Sequence, residues 1–129
     1  MTHTAEITRD IAVSAVTRYL EAIARASSSA EIAALYADGA TLEDPVGSDP
    51  VRGRDAIAEF FGPLTQARRE TELLGFRHSG SAAAFHFRVR TYTPDGVVEI
   101  EPFDVMTFTA EGLITSAKAY WSPDDVRIV

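Results

Sequence analysis

The sequence predicts an α+β domain, with helices gathered on one face of a curved antiparallel sheet. Three features carry that expectation. Apolar residues recur at helical spacing in the first half of the chain, and two-residue alternation takes over from about Glu70. Turn-forming triplets at His78-Ser79-Gly80, Pro94-Asp95-Gly96 and Ala110-Glu111-Gly112 then divide the second half into consecutive hairpins. At 129 residues and 46% hydrophobic content, residues 1–129 suit a single domain, large enough for a core and a cavity within it.

From Ile7, the positions Ile11, Ala15, Val16, Tyr19, Leu20 and Ile23 make one apolar stripe of a first helix. Tyr19 lies inside the stripe, as a packing residue with a partnered hydroxyl or as a hydroxyl kept for a ligand. After Ala26 the run Ser27-Ser28-Ser29 breaks the pattern, and Ser28 with Glu31 has capping-box spacing. A short second helix follows, with Ile32, Leu35 and Tyr36 on its buried side, and it is expected to stop at Asp38-Gly39. In residues 40–44, Ala40, Leu42 and Asp44 share one strand face. Pro45 cannot donate to a ladder, so Asp44 is expected at a strand end, facing inward at a cavity mouth. Residues 45–50 are rich in turn formers, and beyond Gly53 the residues Ile57, Phe60, Phe61 and Leu64 mark a third amphipathic helix, cut short or kinked at Gly62-Pro63.

Residues 70–77 read as a weakly patterned strand. In residues 81–93, Phe85, Phe87 and Val89 alternate with His86, Arg88 and Arg90, so one face is buried and the two arginines share a solvated one. Residues 97–108 read as the next strand, with Val98, Ile100, Asp104, Met106 and Phe108 on one face. A carboxyl group in such a row must gain hydrogen bonds, pair with a cation or keep its proton. Asp104 is therefore either a structural aspartate bonded to backbone or, if neutral, a donor able to hold a developing oxyanion. In the last strand, residues 113–121, Ala117, Ala119 and Trp121 share a face suited to a cavity wall or to a packed helix. Residues 122–129 read as a short polar tail.

A balance of 12 basic against 19 acidic residues gives a net charge of −7, and no basic cluster is large enough to follow a phosphate backbone. Nucleic acid is thus excluded as a partner. No apolar run approaches membrane-spanning length, and no leader-like segment opens the chain. With no cysteine there is neither disulfide nor thiol chemistry, which suits a cytoplasmic location. His3, His78 and His86 lack ligand spacing. The inward faces meet across one space, where Tyr19, Asp44 and Asp104 converge with Phe60, Phe87 and Trp121, three polar groups in an apolar bowl.

The segments Tyr36-Ala37-Asp38-Gly39-Ala40-Thr41-Leu42-Glu43-Asp44-Pro45-Val46-Gly47, Val51-Arg52-Gly53-Arg54, Phe103-Asp104-Val105-Met106-Thr107-Phe108 and Ala119-Tyr120-Trp121-Ser122 resemble bacterial Δ5-3-ketosteroid isomerases. The first two also recur across the wider nuclear-transport-factor-2-like and SnoaL-like superfamily. The likeness spans residues 13 to 122 and implies a cone-shaped fold enclosing an apolar pocket that admits a steroid. It implies Asp44 as general base, with Tyr19 and a protonated Asp104 as oxyanion hole, the protonation being carried over from the family's known chemistry. The pocket is expected to be formed by Tyr36, Phe60, Phe61, Phe87, Met106, Ala117, Ala119 and Trp121. No metal or cofactor enters such a reaction.

This sequence departs from the family at Phe61, where some members carry a further tyrosine beside the catalytic one. Pro102 marks a bulge or an edge position that re-aims Asp104. Ala117, where bulkier residues occur in the family, would widen the pocket. Facing away from the bowl, Phe103, Val105, Ile114 and Tyr120 leave an apolar patch on the outer sheet face. By resemblance, the partner that covers it is a second copy, giving a homodimer. Two other readings share the fold: a SnoaL-like polyketide cyclase or hydrolase working on a non-steroid substrate, and a non-catalytic steroid- or lipid-binding module. A cyclase would not need both oxyanion donors, and binding alone leaves a carboxylate at the pocket rim unexplained.

Overall fold

The computed structural model describes residues 6–129; His3 lies outside them. Helix α1 (Arg9–Arg25) starts where the Thr8 side chain accepts a hydrogen bond from the Ile11 N–H at 3.1 Å. It buries Ala12, Ala15, Val16, Tyr19, Leu20 and Ile23, the face its periodicity predicts. Helix α2 (Ser29–Ala33) begins with Glu31 reaching back to the backbone N–H groups of Ser27 and Ser28.

The second helix does not continue to Asp38-Gly39. Strand β1 spans Tyr36–Glu43, because Tyr36 pairs with Ile114 and Leu35 accepts from the Ile114 N–H at 2.9 Å. Sheet pairing overrides a locally helical sequence. Gly39 keeps the left-handed conformation expected of it, with φ of 69°, but spends it on an irregularity in the strand instead of a helix end.

After β2 (Val51–Arg52), helix α3 (Arg54–Phe61) ends at Gly62, and Pro63–Gln66 form a single 3₁₀ turn. The remaining strands are β3 (Arg68–Ser79), β4 (Ala82–Thr93), β5 (Gly96–Ile100), β6 (Phe103–Phe108), β7 (Ile114–Tyr120) and β8 (Val126–Ile128). They form an eight-stranded sheet in the order β2-β1-β7-β6-β4-β5-β8, with β3 on the other side of β4. All pairs are antiparallel except β1 with β7, which the intervening elements make parallel.

The single strand expected over residues 97–108 is two strands. β5 pairs with the second half of β4 and β6 with its first half; between them the Pro102 carbonyl accepts from the Phe87 N–H at 3.2 Å. A proline that cannot donate ends the ladder here. The tail is likewise ordered: Val126–Ile128 adds as a strand to β5.

α1 packs against β3, and two polar side chains of β3 bind its C-terminal carbonyls. Arg69 donates to the carbonyls of Ile23 at 2.7 Å and Ala26 at 3.0 Å, and Thr71 Oγ1 to that of Leu20 at 3.0 Å. Arg69 is therefore a buried cap of α1. Phe85, Met106, Ile57 and Val16 lie at the centre of the core; truncating Phe85 to alanine would cost about 3–5 kcal/mol. Ile114 belongs to this core and not to the outer patch. A shift in the β6–β7 register between Thr107 and Phe108 pairs Phe108 with Ile114, skips Thr115 and turns Ile114 inward. Phe103, Val105 and Tyr120 remain on the outer face, where His86 stacks on Phe103 with ring centroids 4.2 Å apart. No helix among the described residues is long and apolar enough to cross a membrane.

Candidate active site

Two carboxyl groups are set beside one small residue. In the parallel β1–β7 pair Glu43 lies opposite Lys118, so Asp44 follows alongside Ala119, and the Val46 N–H binds the Ala119 carbonyl at 2.8 Å. On the other edge of β7, Ala119 pairs with Asp104. Asp44 and Asp104 thus flank Ala119 of the intervening β7 on the inner sheet face, with only its methyl group between their side chains. Beyond Asp44, Glu43 accepts from the Gly47 N–H at 2.8 Å and holds the loop closed.

Tyr19 reaches the same place from α1. Its ring stands edge-on to Phe85 and Phe87, with centroids 6.3 and 6.4 Å away, which fixes the direction of its hydroxyl. Tyr36, at the start of β1, lies fully buried behind it. The two hydroxyls are close enough for each to influence the other's ionisation, yet Tyr36 Oη has no hydrogen-bond partner of good geometry.

The electrostatics of the two aspartates differ. Asp104 is 3% exposed, and its Oδ1 is sealed from solvent without a hydrogen-bond partner. Burial, and secondly the charge of Asp44, push its pKa well above the ordinary carboxylate value. Asp44 is raised by burial too, but the Trp121 indole donates to its Oδ1 at 2.7 Å and opposes that rise. Neither forms an ion pair among the described residues. Of the two, Asp104 is held the higher, and Asp44 alone has a side-chain hydrogen bond that favours its ionised form. Burial first, then Tyr36, Asp104 and Asp44, hold the Tyr19 hydroxyl well above the usual phenol pKa, so it is a neutral donor. A tyrosine hydroxyl and two carboxyl groups with raised pKa values therefore bound a single space.

That space is a cavity of about 470 Å³, within the range of small-molecule pockets. Tyr19, Asp44, Asp104, Phe60, Phe61, Phe87, Ala119 and Trp121 all line it. Phe60, expected on the buried side of α3, is 40% exposed and stands at the rim. Tyr36, Met106 and Ala117 do not line the cavity; each is buried in the layer beneath it. Shared strand parity put Met106 and Ala117 with the site, but they pair with each other farther along β6 and β7, under the helices. Ala117 therefore does not widen the pocket.

The sequence reading missed Ile23, Pro45, Leu64, Val89, Thr91, Ile100 and Pro102 in the lining. Inward parity with Phe87 would have found Val89 and Thr91. Ile100 lies on the face that the two-residue period gave to Asp104, and Pro102, in the β5–β6 break, has the same parity. Among the described residues no three His, Asp or Glu side chains gather as a metal site.

Residues 16–117 match the model of the SnoaL-like domain family. A steroid Delta-isomerase from Nocardioides simplex is 57% identical over 114 residues, covering 88% of this chain and 92% of that protein. Among solved structures, the epoxide hydrolase/cyclase-like enzyme SalBIII, involved in pyran ring formation in the polyether salinomycin, superposes with a TM-score of 0.84 at 26% identity, covering 93% of this chain and 97% of the other. RV0760c from Mycobacterium tuberculosis has the same TM-score at 20% identity, over 95% of this chain and 98% of its own, and bears on the fold alone.

Proposed function

The chain belongs to the SnoaL-like domain family, and we infer that within it this protein is a steroid Δ-isomerase, moving the double bond of a 3-ketosteroid from Δ5 to Δ4. The observation that supports this most is that Tyr19, Asp44 and Asp104 line one cavity, where Asp104 Oδ1 has no protein hydrogen-bond partner. An unsatisfied buried polar atom is costly, and a ligand oxygen placed between the two donors would relieve it.

Bringing the double bond into conjugation with the ketone needs one proton to leave C4 and return at C6. Asp44 takes it as a carboxylate and gives it back as an acid, so nothing is consumed. In the dienolate between these steps, negative charge gathers on the C3 oxygen. Tyr19 and protonated Asp104 donate to that oxygen from a site with little water, where such bonds count most. Trp121 keeps the base from rising too far, since its indole bond favours the ionised form. The apolar lining binds the ring system by burial.

Phe103, 54% exposed, with Val105 and Tyr120 supports a homodimer through the outer sheet face. Only monomer in a micromolar sedimentation series would refute that assembly.

The function is tested spectrophotometrically with 5-androstene-3,17-dione, following growth of enone absorbance in wild type and Asp44→Asn. Turnover in the wild type, lost in the variant, is the expected result. The likeness to SalBIII supplies a second reading, a cyclase or hydrolase on a non-steroid substrate. Absence of both turnover and steroid binding would favour it.

A further inference from the structure

The catalytic cluster accounts for most of the polarity in the cavity lining: Tyr19, Asp44 and Asp104 belong to it, and the Trp121 N–H is spent on Asp44. One polar side chain remains, Thr91. It follows Phe87 and Val89 on the inward face of β4, and its register partner on β3 is Arg69, which also points to the helix side. Thr91 lies four positions beyond Phe87, about 13 Å at ordinary strand rise. Phe87 touches the Tyr19 ring, so Thr91 stands at the opposite end of the cavity from the oxyanion donors. Ile23, Leu64, Val89 and Ile100 wall the cavity between. Thr91 Oγ1 makes no hydrogen bond among the described residues, whereas the neighbouring Arg69 is committed to backbone carbonyls.

From this geometry we propose that Thr91 is a specificity-determining residue, binding an oxygen substituent on the ring farthest from the reacting ketone, so that the preferred substrates are steroids oxygenated at both ends. The inference rests on the steroid reading above. A threonine hydroxyl donates to a ketone or accepts from an alcohol, so 17-keto and 17-hydroxy steroids both qualify. A steroid without that oxygen would bury the hydroxyl unpaired, and a site built to hydrogen-bond rejects the analogue that cannot.

The test compares 4-androstene-3,17-dione with 4-androsten-3-one by quenching of Trp121 fluorescence, and 5-androstene-3,17-dione with 5-androsten-3-one by turnover. In wild type the dione should bind about three- to tenfold more tightly, the worth of one neutral hydrogen bond, with the same preference in KM. Thr91→Val, equal in shape but without the hydroxyl, should bring the ratio to about one, and Thr91→Ser should restore it. No preference in wild type, or a ratio unchanged in Thr91→Val, overturns the proposal. Binding preference without turnover would remove the isomerase reading and leave Thr91 in its role; binding of neither steroid would remove both.

Discussion

The two faces of the sheet treat the same chemical group in opposite ways. On the inner face Asp44 and Asp104 meet aromatic rings and each other, no cation reaches them, and both pKa values rise. On the outer face Glu99 lies under arginines. Its side chain is 3% exposed, yet what covers it is Arg90 at 2.7 Å, Arg127 and, at 3.9 Å, Arg88, lying on an open surface instead of in the apolar interior. The Arg90 bond, first among these contacts, holds the Glu99 carboxyl below its ordinary value. β4 builds both environments: Phe85, Phe87 and Val89 line the inside, while Arg88 and Arg90 on the outside face Glu72, Glu70 and Glu99 across neighbouring strands. A one-residue step along a strand thus decides whether a nearby carboxyl's pKa is raised or lowered.

The largest expected effect is on the inner carboxylate. Asp44→Asn should lower kcat by about a thousandfold or more while steroid binding persists, because an amide cannot take the proton. Near-normal turnover would remove Asp44 as base. Removing one oxyanion donor, by Tyr19→Phe or Asp104→Ala, should cost on the order of tenfold to a thousandfold in kcat. Unchanged kcat in both variants would leave the two donors without a role in the chemistry.

pH sharpens the contrast. The rate should fall as pH drops through the raised pKa of Asp44, and Trp121→Phe should move that acid limb to higher pH with about a tenfold loss below it, since the indole bond favours the carboxylate. An unmoved limb would show that the bond does not tune the base. For stability, Asp104 is raised in the folded state, so its contribution is full below the unfolded carboxylate pKa and is lost as pH rises through the folded value. Asp104→Asn removes that dependence. Its stability relative to wild type should grow by about 1.4 kcal/mol for each pH unit between the two pKa values. Parallel denaturation curves for the two proteins across that range would contradict a protonated Asp104.

The smallest effect belongs to the outer face, with the opposite sign. Glu99 is depressed, so its contribution is present above the unfolded carboxylate pKa and is lost as pH falls through the folded one. Glu99→Gln should lower Tm modestly at neutral pH, and the deficit should close in acid and shrink in high salt. A deficit independent of both would mean that packing, not charge, holds this cluster.

Much of the inner face was legible in the chain. The two-residue period that placed Asp104 with Met106 and Phe108, and Asp44 with Ala40 and Leu42, is local geometry; the structure buries all of these but Asp44, which is half-buried just past the end of β1 and lines the cavity. The stripe carrying Tyr19 followed from the 3.6-residue period in the same way. Where backbone hydrogen bonds found partners far along the chain, periodicity failed. Tyr36 left its helix for a strand because Ile114 was there to pair with it, and Ile114 turned inward because one residue was skipped in the register.

What the sequence determined by itself was therefore which side chains share a face, the separation of helices from hairpins, and a set of motifs that identified the family. Only the tertiary structure decided which of those faces reach the cavity: it sank Met106, Ala117 and Tyr36 beneath it, opened the β5–β6 break to admit Ile100 and Pro102, and left Thr91 at its far end. It also decided the direction of each carboxyl's pKa shift. A carboxyl's pKa depends on what burial removes and which cations arrive, and the arginines over Glu99 and the lack of any beside Asp104 are set by strand pairing across the sheet.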